Sequence, residues 1–179
     1  MDNRKGFTLL EIVITLGIFA ILASVITLSA SEMRSTARAN KVINDLYAWK
    51  SAVHAWYFAN TDLVKDGKIY DRASNNHKEF KTDSTINGEK LINEVAKYLD
   101  INSVNLVNYN LRSNEINGYY RWFVSYNFPQ DPTIVKSLRR KLIARAPGAG
   151  LLDTRTEVEN QPYKGTNDYL YIMVMDFNN

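Results

Sequence analysis

Glu11 stands alone as a carboxylate inside an otherwise apolar stretch covering residues 7–30. In hydrocarbon an ionised acid is unfavourable unless a cation or hydrogen-bonding group meets it, so such a residue marks a contact with a purpose. A second chemically distinct group is a run of cations, Lys136, Arg139, Arg140, Lys141 and Arg145, with no acid anywhere in 132–152. Lys136, Arg139 and Arg140 are the candidates for contacting phosphate, the way a protein grips a DNA backbone. The simpler reading is a solvated helix face whose cations sit well near a helix C-terminus.

Little else in the chain suits catalysis. His54 falls in a helical pattern, and His77 lies in a polar stretch with no nucleophile or carboxylate motif beside it. Neither a serine elbow nor a paired-histidine metal motif occurs. The absence of cysteine removes thiol catalysis and zinc–thiolate sites, and leaves packing alone to hold the fold. Gly148-Ala149-Gly150 follows a helix and lacks the remaining glycine spacing of a nucleotide loop. The stretch from Asp62 to Gly67 resembles a calcium loop only until Val64, which occupies a ligand position. Asp168 and Asp176 flank the last strand and would lie about 25 Å apart if extended, too far to share one ion. No metal, cofactor or enzymatic activity is expected.

The elements that must position Glu11 and the basic run follow from periodicity. Residues 7–59 contain no proline and one glycine, Gly17. Ile43, Leu46, Trp49, Val53 and Trp56 recur every three or four positions, which predicts that the apolar stretch continues as an amphipathic helix. One helix over 7–59 would be about 80 Å long. Its aromatic residues Trp49, Trp56, Tyr57 and Phe58 read as core packing rather than a platform for bases. Residues 60–87 read as a connecting loop with a short strand near 68–70, and 88–99 as a short helix burying Leu91, Ile92, Val95 and Leu99. Partial alternation over 104–109, a turn at Asn117-Gly118 and strands at 120–126 and 169–175 give the sheet, with the last strand central. Asp131-Pro132 opens a helix that runs to about Arg145 and stops at Pro147-Gly148.

Composition sets the frame for these elements. The chain has 179 residues, 45% hydrophobic and 23% charged, so one modest soluble domain remains beyond the apolar segment. Net charge is +3, and Asp2, Arg4 and Lys5 supply +1 of it, so a chain without them carries +2. That balance does not argue for a polyanionic partner.

Three readings compete for the N-terminus. A secretory signal peptide would use Arg4 and Lys5 as its basic region and Ser29-Ala30-Ser31 as its cleavage pattern, but the apolar stretch is roughly twice the usual 7–15 residues and contains Glu11. A plain signal anchor, held with its N-terminus in the cytoplasm by Arg4 and Lys5, leaves Glu11 without a purpose. The third reading is a resemblance. The segment Gly6-Phe7-Thr8-Leu9-Leu10-Glu11-Ile12-Val13-Ile14 resembles the N-terminus of type IV pilins and of the pseudopilins of type II secretion.

The resemblance implies an α+β, pilin-like fold: a long N-terminal helix, with a transmembrane half and an amphipathic half, packed on an antiparallel β-sheet. Residues 1–6 would be a prepilin leader, 7–30 the membrane-spanning half, and 31–179 the amphipathic half plus a globular head. A membrane prepilin peptidase would cut between Gly6 and Phe7, and Phe7 would then be N-methylated, with S-adenosylmethionine as the peptidase's donor rather than a ligand here. Glu11, fifth from Phe7, would pair with the new α-ammonium of a neighbouring subunit and set the stagger of a filament. The implied partners are prepilin peptidase, other pilin subunits, an inner-membrane assembly platform and membrane lipid, with DNA a less favoured one. The implied location is the bacterial cytoplasmic membrane in a single pass, then a pilus or pseudopilus with the head outside the cytoplasm. Adhesion, motility, DNA uptake and protein secretion are all compatible roles, and a membrane-anchored binding domain is the reading from another class. One departure is visible: many pilins carry a proline late in the apolar helix, and here the first proline is Pro129.

Overall fold

The computed structural model describes residues 8–99, 106–116, 118–155 and 162–177. Its spine is α1 (Leu9–Ala59), 51 residues long and unbroken through Gly17, or about 77 Å at 1.5 Å per residue. No proline interrupts it, and Thr8 caps its N-terminus. The two halves differ in surroundings rather than in backbone. Large apolar side chains from Leu9 to Leu28 are exposed, whereas Ala39, Leu46, Trp49, Val53 and Trp56 are buried at helical spacing.

That buried stripe lies on a four-stranded antiparallel sheet of order β6-β7-β9-β8, made of β6 (Tyr109–Ile116), β7 (Tyr119–Asn127), β8 (Leu151–Leu152) and β9 (Tyr169–Asp176). β9 is an inner strand, as its nearly continuous apolar sequence predicts. Ile116 pairs with Tyr119 across a two-residue turn in which Gly118 has φ +85°, the left-handed geometry such hairpins need. Asn117 lies outside the described residues, as do 104 and 105. The strand before that turn is longer than its polar composition suggests. Tyr109, Leu111 and Ser113 of β6 face inward in strict alternation while Asn110, Arg112 and Asn114 do not, so period two carried the signal that composition hid.

The core is aromatic. Trp122 stacks on Phe80 at 4.1 Å between ring centroids and meets Trp56 at 6.1 Å, while Tyr109 lies between Trp49 and Tyr126. Trp49 and Trp56 are core residues as expected, but Phe58 is 73% exposed.

Residues 60–87 contain the short strand expected near 68–70, but the rest is more ordered than a connecting loop. They form β1 (Val64–Lys65), β2 (Lys68–Asp71) and β3 (Asn76–Lys78), a small antiparallel sheet, and β4 (Thr85–Ile86), which pairs with β5 (Glu89–Lys90). A buried carboxylate organises this polar stretch. Asp71, 2% exposed, accepts from the backbone N–H of Ala73 (3.1 Å) and Asn87 (3.0 Å), from Ser74 Oγ (2.8 Å) and from Lys78 Nζ (2.6 Å). Five-residue strands with apolar faces are unnecessary when one acid gathers that many donors. Gly67, at φ +75°, closes the β1–β2 turn, and its carbonyl accepts from the Trp122 Nε1–H at 2.7 Å. Tyr120 Cβ would lie only 2.4 Å from a Cβ added there.

The next helix, α2 (Leu91–Ala96), is shorter than the 88–99 expected, because 89–90 belong to β5. Leu91, Val95 and Leu99 are buried as predicted. α3 (Pro132–Ala149) begins where Asp131 accepts from Ile134 N–H at 3.3 Å, and it runs past Arg145 through Pro147. A proline in the last turn breaks only one backbone bond, and Ala146 and Ala149 are buried beyond the expected stop. Ala149 also accepts from Tyr47 Oη at 3.1 Å.

Candidate functional site

Two features of α1 bear on function: its first turn, and the point where its apolar half ends. In the first turn, Thr8 and Glu11 cap each other. Glu11 Oε2 accepts from Thr8 N–H at 2.8 Å and Thr8 Oγ1 at 2.9 Å, while Glu11 N–H approaches Thr8 Oγ1 at 3.3 Å. This reciprocal capping satisfies orphan donors of the first turn, and an acid there is favoured by the helix dipole. A carboxylate has roughly four acceptor sites, so Glu11 retains capacity for a further cation. Thr8 is the residue that reading for charge alone missed. The spacing Thr-x-x-Glu ahead of an apolar run was its signal. Gly6 and Phe7 lie outside the described residues.

Beyond that turn α1 has the chemistry of a segment in lipid. It is long and apolar enough to cross a membrane. Thr15, Ser24, Thr27 and Ser31 each donate to a carbonyl three or four residues back, at 2.7–2.9 Å. Polar hydrogens satisfied within the helix need no water, which is what hydrocarbon demands.

Where the apolar half ends, α3 lies across α1. Ile134 and Leu138 line a cavity of about 290 Å³ with Arg38, Lys41, Val42 and Asp45 of α1. Towards the other end of α3, Arg145 Nη1 donates to Asn40 Oδ1 at 2.5 Å. Ser35 and Ala39, both small, are buried in this stretch of α1. Between these contacts Glu32 accepts from Arg140 and, at 2.5 Å, from Lys141 Nζ. Lys141 is the main reason that the Glu32 carboxyl sits below the usual carboxylate range. Glu32 was not anticipated; its signal was an acid placed just past the apolar stretch in a chain with an acid-free basic helix.

The three cations considered for phosphate therefore have different surroundings. Arg139 donates to Asp168 Oδ1 at 2.7 Å and to the Gly165 carbonyl at 3.1 Å, and stacks over Phe128. Arg140 engages Glu32, and Lys136 is exposed. The amphipathic half holds one more buried acid. Asp45 is 7% exposed and accepts from Tyr109 Oη at 3.0 Å, with Lys41 Nζ at 3.4 Å. His54 shares a 2.8 Å hydrogen bond with the Val174 carbonyl, tying α1 to β9. His77 is exposed on β3. Asp176 pairs with Arg121 at 2.7 Å.

Residues 1–27 match the family model of the prokaryotic N-terminal methylation motif. The chain thus carries the prepilin signature of type IV pilins and pseudopilins, at the head of an α+β arrangement of the pilin kind. Neither a curated protein nor a solved structure matches at a significant level.

Proposed function

We propose that this chain is a type IV pilin-like structural subunit, cut between Gly6 and Phe7 by prepilin peptidase and polymerised through α1 into a pilus or pilus-like filament. A type II secretion pseudopilus would be built from the same contacts. The observation that carries this reading is Glu11, within the methylation motif and in the first turn of an exposed apolar helix of membrane-spanning length. Cleavage would leave Phe7 as the first residue and Thr8, the helix cap, as the second. The α-ammonium of Phe7, methylated or not, then stands at the mouth of the helix. Within one subunit Glu11 is already met by Thr8, so the acid tolerates lipid before assembly and still accepts a neighbour's ammonium during it. An enzymatic role has no support in the motif, which is that of structural subunits. With the leader in the cytoplasm and the head outside, the subunit would wait in the membrane in a single pass until an assembly platform engages it.

Glu11→Ala in the full chain tests the reading. Membrane insertion is expected to survive, while incorporation into filaments falls at least tenfold in sheared fractions. Undiminished incorporation would overturn the pairing mechanism. Mass spectrometry of the membrane-extracted protein is expected to find Phe7 at the N-terminus with one methyl group, and an intact Met1–Gly6 segment in fibres would overturn the assignment.

A further inference from the structure

We propose that the base of the head, where α3 crosses α1, is a docking surface for the anionic headgroups of the lipid leaflet from which α1 emerges. The inference rests on the membrane-anchored reading above and adds an occupant to a surface which that reading leaves unassigned. Glu32 lies two residues beyond Ala30, or about 3 Å further along the helix axis. The headgroup layer on each side of a bilayer is several ångströms thick, about 5–7 Å. Because Arg140 and Lys141 both reach the Glu32 carboxylate, their cationic groups are held at headgroup depth by a contact inside the chain.

The surroundings are basic. Arg34 and Arg38 are exposed on α1 just past Glu32, and the Arg140 side chain is 66% exposed even while paired. One acid cannot neutralise four cations, and the exposed Arg34 and Arg38 lie about 3 Å and 9 Å past Glu32 along the helix axis, within side-chain reach of lipid phosphates at the headgroup layer. Ala144 and Ser137 fall on the same side of α3 as Lys141 by helical periodicity and are small enough to allow close approach. Continuity with the lipid-exposed helix selects a lipid headgroup over other phosphates: a nucleic acid would have to enter the gap between head and bilayer.

The chain has no cysteine, so Ala144→Cys gives a unique site for a nitroxide. The labelled full-length protein is placed in nanodiscs of phosphatidylcholine alone, or with 40 mol% phosphatidylglycerol. Accessibility to a water-soluble relaxation agent is then read by electron paramagnetic resonance. Ser51→Cys, exposed and 19 residues beyond Glu32 on α1, serves as the distal control, about 28 Å away along the axis. The anionic lipid is expected to lower accessibility at residue 144 at least threefold and leave residue 51 unchanged. The effect should disappear in R34Q/R38Q, which touches neither ion pair of Glu32, and weaken in 0.5 M salt. Equal accessibility in both discs, with the protein incorporated, would overturn the proposal and spare the anchored reading. Failure to incorporate at all would overturn both. Shielding of residue 144 in neutral discs by inorganic phosphate, or by duplex DNA, with none from phosphatidylglycerol would overturn the lipid assignment in favour of that source.

Discussion

Replacing Tyr109 with Phe removes one hydroxyl from the interior and leaves the ring where it is, 3% exposed between Trp49 and Tyr126. The hydroxyl donates to Asp45 at 3.0 Å. Without it, the carboxylate keeps, among the described residues, Lys41, at 3.4 Å from an i,i+4 position with its side chain 59% exposed. Such a helix pair supplies about 0.3–0.5 kcal/mol, whereas a hydrogen bond to a buried charged group supplies about 1.5–3 kcal/mol. Tyr109→Phe should therefore destabilise the head by about 2 kcal/mol. Asp45→Asn keeps an acceptor for Tyr109 and should cost about 1 kcal/mol. The double variant should fall short of the sum by at least about 1 kcal/mol, because the second change meets a bond already gone. The three tryptophans, Trp49, Trp56 and Trp122, are all in the head core, so their fluorescence follows its unfolding in urea while detergent holds the apolar half of α1. With a slope of about 2 kcal/mol per molar urea, the Tyr109→Phe midpoint should drop by about 1 M. A drop under about 0.2 M, or strict additivity in the double variant, would refute the claim that this bond stabilises the junction of helix and sheet.

Further outcomes follow from other buried groups. Its hydrogen bonds, first of all from Lys78 and then from Ser74, hold the Asp71 carboxyl far below the usual carboxylate range. A depressed folded-state value means that the stabilisation is complete above the unfolded value near 3.8 and is lost as pH falls below it. Wild-type urea midpoints should thus decline as pH falls below about 4, and Asp71→Asn should be less stable at pH 7 with a flatter acid limb. An unchanged acid limb would show that another carboxylate governs it. Gly67→Ala should destabilise by more than about 1–2 kcal/mol, since a positive φ and a Cβ 2.4 Å from Tyr120 Cβ act together; a midpoint within error of wild type would mean the β1–β2 turn relaxes freely. The N-terminal cap gives a finer test of assembly: Thr8→Val should lower filament incorporation less than Glu11→Ala does, because it loosens the carboxylate without removing it, and the reverse order in sheared fractions would sink that ranking.

The long helix, the hairpin at Gly118, the helix start at Asp131 and the inner position of the last strand were all legible, because each rests on local periodicity or a short-range turn signal. What escaped was set by partners distant in sequence. Asp71 gathers donors from both sides of a polar stretch, so residues 60–87 lack the alternation of a strand except near 68–70. Asp45 sits amid Arg38 and Lys41 and reads as solvated; only Tyr109, 64 positions later, makes it a buried acceptor. α3 passes its expected stop because burial of Ala146 and Ala149 outweighs the single bond lost at Pro147. Glu11 was legible as a charge in the wrong solvent, yet its partner Thr8 became plain only as a capping pair.

The unbroken backbone of α1 has a mechanical corollary. About 29 residues separate Ala30 from the end of the helix, a mast of about 43 Å to which the sheet, α2 and α3 are all lashed, and no hinge intervenes between mast and bilayer. Membrane helices commonly lean by about 20°, and a lean of that size swings the masthead sideways by about 15 Å. In the proposed filament, what the head can touch on a neighbouring subunit would therefore be steered from inside the lipid, by whatever fixes the angle of the foot.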